Sequence, residues 1–405
     1  GHGYVSPVQA AQARPLRLGI VGFGAAAQAF IPAIQARGDW RLVAIAEPAQ
    51  AMRTAGENLA DVAWFDSMDS MLAQASLDAV YIATPTPTHM PLAVHALRSG
   101  HHVLVEKPMA LSVRECKKMV QAARTAGRVL MVGHSHGFDA PIQAMRDIIT
   151  SGQLGRVRMV HSWCYTNWMH RPRRAEELVS ALGGGVTFRQ GAHQFDVARY
   201  LCGGLVRSVR AQTFDWLPSR SGVGAHTVFL DFEDGAVATA IYNGYGGFSS
   251  ADLVFGISEW GERATSEGPL SPLASAIGLS EQAAILAKRE RAGRAIAASA
   301  AHPPFFGLTL VSCERGDMRQ SPDGLWIDTP QGRTAVPVAT EPTPRQLVLD
   351  NWMGQIRTGE NLGCDGSWGL ATLEICEAAL RSAKLRREVR LKHQVPVRDG
   401  LCLSD

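Results

Sequence analysis

At 405 residues the chain is too long for one hydrophobic core, and its length predicts two or three domains. Forty Lys and Arg against 37 Asp and Glu leave a formal charge of +3, which argues against a nucleic-acid or membrane-surface partner. No run approaches the ~18 consecutive apolar residues of a membrane span. With 46% hydrophobic and 19% charged residues the composition is that of a globular enzyme. Seven cysteines, at 116, 164, 202, 313, 364, 376 and 402, form no Cys-x-x-Cys; they read as reduced thiols of a cytoplasmic protein, and no metal-ligand spacing is present.

Gly1-His2-Gly3 reads as an expression scar, and residues 1–16 as a polar lead-in. The first element is the apolar run 17–21, a predicted strand. It ends in Gly22-Phe23-Gly24-Ala25-Ala26-Ala27, a G-x-G-x-x-A turn that opens a helix over about 25–37. Gly22 allows the turn, Gly24 lets a pyrophosphate approach, and Ala27 allows close helix–strand contact. The N–H groups of the helix start, at Ala25 and Ala26, face phosphate with favourable dipole potential. A second strand, 41–46, ends in Glu47, 23 residues beyond Gly24. A carboxylate there accepts from the adenosine ribose and repels a 2′-phosphate, which favours NAD; Arg53 nearby weakens the exclusion and keeps NADP open. Pro32 should kink the first helix.

Helices follow over 49–59 and 67–74, with a short strand 62–65 between them. The strand 78–83 runs into Thr84-Pro85-Thr86-Pro87-Thr88-His89, which its prolines exclude from helix or central strand. Helix 91–99, strand 102–105, helix 112–125 and strand 128–132 complete an alternating pattern. The fold class is α/β: a doubly wound parallel sheet of the Rossmann type over 17–137, then an α+β domain over 138–390 with an open, mostly antiparallel sheet, and a tail over 391–405. The second domain is read from a helix near 141–150, strands 157–165, 206–214, 226–232, 237–243 and 253–257, a hairpin turn at Asp234-Gly235, and a helix 192–201. Residues 262–340 carry a basic, Ala-rich helical stretch (281–300) and two or three short strands. Helices 342–357 and 367–383 should pack back on the first domain or the seam.

The strand 102–105 delivers Glu106-Lys107-Pro108 to the edge that carries the glycine turn, aiming an ammonium into the crevice. Oxidising a carbinol needs a base within ~3 Å of the hydroxyl while hydride leaves. Lys107, with its pKa lowered by desolvation and nearby cations, and His193, which needs no such tuning, are the candidates. Asp196 lies one helical step beyond His193 and could orient its ring. His134 and His136 follow the strand 128–132 and either line the crevice or serve the structure.

Together these residues resemble the family of glucose–fructose oxidoreductases and inositol dehydrogenases. The carriers are Gly22-Phe23-Gly24, Ala83-Thr84-Pro85 with His89, Glu106-Lys107-Pro108, Gly191-Ala192-His193-Gln194-Phe195-Asp196, and a C-terminal helix with Glu374 and Ser382-Ala383. The resemblance implies an active site between the two domains, with Gly22, Phe23, Gly24, Ala25, Ala26, Glu47, Thr84, Pro85, His89, Glu106 and Lys107 on the cofactor. It implies Lys107 and His193 at the reacting carbon, and a homo-oligomer, dimer or tetramer, built through the open sheet. The family often has an aspartate two residues before the Gly-x-His; this chain has Arg189, a cation suited to an anion.

Substrate clues gather in Trp163-Cys164-Tyr165-Thr166-Asn167-Trp168-Met169-His170-Arg171-Pro172-Arg173-Arg174. Aromatics such as Tyr165 and Trp168 stack on a flat ring, and arginines read carboxylates bidentately. Arg171, Arg173, Arg174 and Arg189 would suit a planar dianion, two of them in direct contact, with Tyr245 and His134 closing the pocket. The competing reading is a solvated loop paired with Glu176 and Glu177. This pattern is similar to the phthalate 4,5-cis-dihydrodiol dehydrogenase branch of the family. That likeness implies NAD-dependent oxidation of a carboxylated cis-dihydrodiol; the rivals are a sugar or cyclitol dehydrogenase, a glycosidase using held NAD, and a nucleotide-sensing regulator.

Overall fold

A computed structural model describes residues 14–133, 136–263, 283, 300–360 and 363–398. Its first half alternates strand and helix: β1 (Leu16–Val21), α1 (Ala25–Gln35), β2 (Trp40–Ala46), α2 (Gln50–Arg53), β3 (Ala63–Phe65), α3 (Met68–Gln74), β4 (Ala79–Ile82), α4 (His89–Arg98), β5 (His102–Val105), α5 (Val113–Ala126) and β6 (Leu130–Val132). The six strands lie parallel in the order β3-β2-β1-β4-β5-β6. Strand order reverses between β1 and β4, so the loops after those two strands open the crevice where such sheets bind ligands. Alternation along the strands feeds both faces of this sheet. Leu18, Ile20, Ile45 and Tyr81 pack with Phe30, Ile34 and Trp352 on one side. Val80, Ile82, Val103 and Val105 pack with Met71, Leu97 and Met119 on the other.

The second half begins with α6 (Ala140–Ser151) and β7 (Val157–Tyr165) and continues with α7 (Ala192–Cys202), β8 (Val206–Phe214), β9 (Ala225–Phe232) and β10 (Val237–Asn243). Four further strands follow, β11 (Leu308–Cys313), β12 (Gly316–Ser321), β13 (Gly324–Thr329) and β14 (Gly332–Pro337), then α8 (Pro344–Thr358), α9 (Gly366–Leu385) and β15 (Val389–Arg390). The nine strands run β14-β13-β12-β11-β7-β10-β9-β8-β15, antiparallel except for the β7–β10 pair. One face is dry: Val160, Val228, Leu230 and Ala238 join Phe195 and Leu201 of α7 and Ile375 and Ala379 of α9 in the same core that underlies the first sheet. Helix α8 covers the first sheet, with Trp352 stacked on Trp40 at 4.6 Å.

Some expectations give way. The turn after β4 is helical after all: Thr86–Thr88 form a 3-10 turn leading into α4, with Pro87 in its first positions, where a missing N–H costs nothing. Helix α1 runs through Pro32, with Ala36 N–H still bonded to the Pro32 carbonyl at 3.1 Å. The stretch 253–257 is not a strand. Ser250–Leu253 form a 3-10 turn, and Val254 and Ile257 tuck beside Phe305, leaving one isolated bridge from Ile257 to Arg263. Four strands, not two or three, occupy 308–337. The Ala-rich stretch 281–300 lies almost wholly outside the described residues. Residues 391–398 run beside α9, where Glu374 accepts from the N–H groups of Lys392 and His393.

Candidate active site

The nucleotide turn follows from its glycines. Gly22 has φ +92°, and a Cβ there would stand 2.6 Å from the Ala83 carbonyl oxygen. Gly24 has open space where its Cβ would be, and no side chain caps α1. Uncapped N–H groups beside free space suit a pyrophosphate. Glu47, buried at the end of β2, accepts from the Phe23 N–H and the Ala49 N–H, both at 3.1 Å. It therefore braces the turn, and the Phe23 N–H is committed to it. Arg53 donates to the Glu47 carbonyl at 2.8 Å and pairs with Asp66.

The loops after β4 and β5 are tied to each other. His89 is buried, with Nδ1 2.8 Å from the Pro108 carbonyl and Nε2 2.7 Å from the Thr84 carbonyl. His89 therefore ties these two loops together. Burial pushes its pKa down against the pull of those two carbonyls. Thr84 and Thr88 share a hydroxyl contact of 2.6 Å, and Thr88 donates to the Pro85 carbonyl. The Glu106 carboxylate accepts from the Tyr81 hydroxyl at 2.5 Å.

Lys107 reaches across to the second half of the chain, where its ammonium donates to the Arg189 carbonyl. That carbonyl belongs to a π-helical turn, Thr187–Gly191, which feeds directly into α7 and His193. Wide turns of this kind expose carbonyls and recur at functional sites. Gly191 is required there: a Cβ would stand 2.5 Å from the His226 ring. His193 is buried against His136, ring centroids 4.7 Å apart and edge to face, and against Phe306 at 5.2 Å. The Lys107 charge is felt at His136. Lys107 thus lies against the turn that leads into the helix of His193.

The arginine loop folds around a residue that the sequence offered only as a surface partner. Glu177 is 2% exposed. Its carboxylate takes Arg189 at 3.2 Å, Arg173 at 3.9 Å and the Arg174 N–H at 2.9 Å. Arg173 lies flat over Trp168 at 3.9 Å. Burial pushes its pKa down to about 9, helped by Arg171 and Arg189 and opposed by Glu177. Two guanidiniums and one backbone N–H therefore surround this carboxylate, and the Arg173–Arg189 pair leaves positive charge in excess of it. Arg189 also reaches Thr86 at 3.4 Å, so the cluster spans the crevice. Arg171 holds Asn167 at 2.7 Å, and Arg174 lies 3.7 Å from Glu176.

Other expected site residues are used elsewhere. Asp196 has a second partner to serve: its Oδ1 accepts from the buried Trp368 indole at 2.5 Å, because an indole N–H taken out of water needs an acceptor. Trp168 is a core residue whose ring carries Arg173, so it cannot also stack on substrate. Tyr245 stacks on Trp216 at 4.2 Å, and its hydroxyl takes the Trp216 N–H and faces the Gly222 carbonyl, fastening the β8–β9 connection. Tyr165 stacks on Phe248 at 5.2 Å. His134 lies outside the described residues; His136 stands beside His193 instead. No local pattern marks the roles of Phe306 and Asp139, which come from distant or irregular segments. Glu177 could have been suspected from its spacing of four after Arg173.

A parallel sheet whose first strand ends in an open glycine turn, joined to a second, mostly antiparallel sheet, is the architecture of an NAD-binding dehydrogenase. The comparisons agree. Residues 16–134 match the model of the oxidoreductase family with an NAD-binding Rossmann fold, and residues 142–248 match the GFO/IDH/MocA C-terminal domain. The chain belongs to the Gfo/Idh/MocA family. It is 34% identical over 380 residues, 91% of this chain and 95% of the relative, to 1-carboxy-3-chloro-3,4-dihydroxycyclohexa-1,5-diene dehydrogenase of Comamonas testosteroni. It is 34% identical over 193 residues, 46% of this chain and 55% of the relative, to inositol 2-dehydrogenase of Rhizobium meliloti. A crystal structure described as a dehydrogenase of Bordetella bronchiseptica superposes with a TM-score of 0.83 at 32% identity, covering 93% of this chain and all of that one.

Proposed function

We propose that this dehydrogenase oxidises a carboxylated aromatic cis-dihydrodiol with NAD, phthalate cis-4,5-dihydrodiol being the specific substrate and 4,5-dihydroxyphthalate the product. The observation that carries the reading is the surplus of guanidinium charge around Glu177, joined to the Lys107 seam through Arg189. Buried cations in excess of their counter-ions are costly unless an anion completes the site. The Comamonas relative, named for a carboxylated dihydroxycyclohexadiene, supports the same class. Bound NAD supplies the hydride acceptor. The chain supplies the rest. Arg189 and its neighbours hold the ring carboxylates, and Lys107 or His193 takes the hydroxyl proton as the carbinol carbon loses hydride. The resulting ketone shifts a ring proton to oxygen and becomes a catechol, and aromatisation makes the step nearly irreversible.

NAD is favoured over NADP because Glu47 occupies the end of β2 and Arg53 is already committed to the Glu47 carbonyl and Asp66. The outer face of the second sheet leaves Met159 and Trp163 of β7 and Phe229 of β9 exposed on either side of β10, an apolar surface suited to a second copy of the chain. The six described cysteines are all free thiols, which fits a reducing cytoplasm. The test is a panel of cis-dihydrodiols bearing no, one or two ring carboxylates, followed by NADH absorbance. Turnover concentrated on the dicarboxylated diol is expected. Equal turnover of the uncharged diol, or of inositol, would remove the anionic reading.

A further inference from the structure

Behind His193 lies a pair of titratable groups to which nothing above assigns a role. His136 and Phe306 stack at 4.4 Å, and both rings touch His193. His136 Nδ1 lies 2.9 Å from Asp139 Oδ2. Asp139 is 2% exposed, and its second oxygen, Oδ1, has no hydrogen-bond partner among the described residues. A buried carboxylate with half its capacity unused is expensive as a purely structural device. It borders a cavity of about 10 Å³ lined by Ser162, Gln194, Thr309 and Gln320, with the His136 and Phe306 rings.

We infer that His136 and Asp139 form a positioning dyad for His193, fixing its ring and setting its charge state during proton transfer. The inference rests on the reading that His193 is an acid–base group. The dyad works through two contacts. Asp139 fixes the His136 ring, and the fixed ring edge leaves His193 one orientation between His136 and Phe306. Asp139 also holds a proton on His136: burial lowers the imidazole pKa, but the carboxylate more than offsets this and the net direction is upward. Glu259 adds to that effect and Lys107 opposes it, while burial pushes the Asp139 carboxyl itself up, with Glu259 adding and His136 and Arg345 opposing. Positive charge on His136 disfavours a second positive charge on His193 and so favours the proton-accepting form of that ring.

The experiment uses full-length enzyme, NAD and a carboxylated cis-dihydrodiol, with His136→Phe, His136→Gln and Asp139→Asn. His136→Phe keeps a ring against Phe306. Asp139→Asn keeps the shape and an acceptor for His136. The pair gives one foldable probe of the ring and one of the charge. Expected is a fall in kcat of roughly 10- to 100-fold, the scale of a misplaced catalytic group, with KM for diol and NAD nearly unchanged. The acid limb of the kcat/KM profile should move to higher pH by roughly half a unit or more as the cation beside His193 is lost. Any variant that unfolds is set aside by its melting temperature, and the remaining two decide. Profiles superimposable on wild type, or a loss confined to KM, would overturn the inference. His193→Gln separates it from its premise. If that variant keeps wild-type kcat, the acid–base reading of His193 fails; if it loses activity while the dyad variants do not, only the dyad fails.

Discussion

Glu177→Gln tests the charge cluster most directly, because it removes the one carboxylate that Arg173 and Arg189 share and changes almost no volume. The size of the effect can be worked from Arg173, whose side chain is 7% exposed. A fall in its pKa from 12.5 to about 9 corresponds to roughly 5 kcal/mol of lost preference for the charged form. Guanidinium does not give up its proton at neutral pH, so this figure measures the cost of holding a cation dry, with Glu177 already offsetting part of it. Removing Glu177 should destabilise the fold by roughly 3–5 kcal/mol, as expected when a buried ion pair loses one member. Urea unfolding at pH 7 in low-anion buffer reads this directly. A dicarboxylate such as phthalate should restore much of the loss by taking the vacated negative position, and chloride should restore little. A change below ~1 kcal/mol would mean that water already screens these arginines, and the argument for an anionic substrate would go with it.

Lys107→Ala should lower kcat by more than ~10²-fold in steady-state assays, with the melting temperature nearly unchanged; a near-normal rate would remove Lys107 from the chemistry. Gly22→Ala and Gly24→Ala should part company. The first meets the Ala83 carbonyl at 2.6 Å and should lower the melting temperature of the NAD-free protein, whereas the second faces open space and should leave it intact while raising the NAD KM at least tenfold. Acid should destabilise the fold through His226 and His102, which burial holds down to about 3 and about 4. Their folded values lie below the unfolded ~6.5, so the unfolded chain binds the extra protons and stability falls as pH drops from about 6.5 toward 3. His226 alone should cost roughly 3 kcal/mol between pH 7 and 4.5, and His226→Gln should flatten that slope in urea titrations. Trp163→Glu should shift the molecular mass measured by sedimentation toward the monomer.

The sequence made the first sheet legible because its signals are local. Apolar runs ending in glycine or proline mark β1, β4 and β5, serine caps start α3 and α5, and the βα alternation sets the parallel order. Val157–Tyr165, Val206–Phe214 and Val237–Asn243 carry a period-two pattern that places their bounds correctly. Legibility stopped where a side chain chooses between partners distant in sequence. Asp196 and His193 share a helix spacing, yet Trp368, 172 residues on, takes the carboxylate. Trp168 and Tyr245 have the chemistry of ring-stacking residues, yet Arg173 and Trp216 occupy their faces. Short irregular turns were equally opaque, since the π turn at Thr187–Gly191 has no periodicity to announce it.

The linear chain alone determined which chemistries were available: a glycine turn able to admit a dinucleotide, a lysine at a strand end, a histidine opening a helix, and a cluster of arginines. Each depends on neighbours within a few residues, where backbone geometry and residue type suffice. Tertiary structure decided how those chemistries were allotted. It brought the Lys107 ammonium to the carbonyl of Arg189, buried Glu177 among the arginines, and set His136 against His193. The physical reason is that buried polar groups must find partners wherever the fold brings them, and spacing along the chain does not encode which partner arrives first.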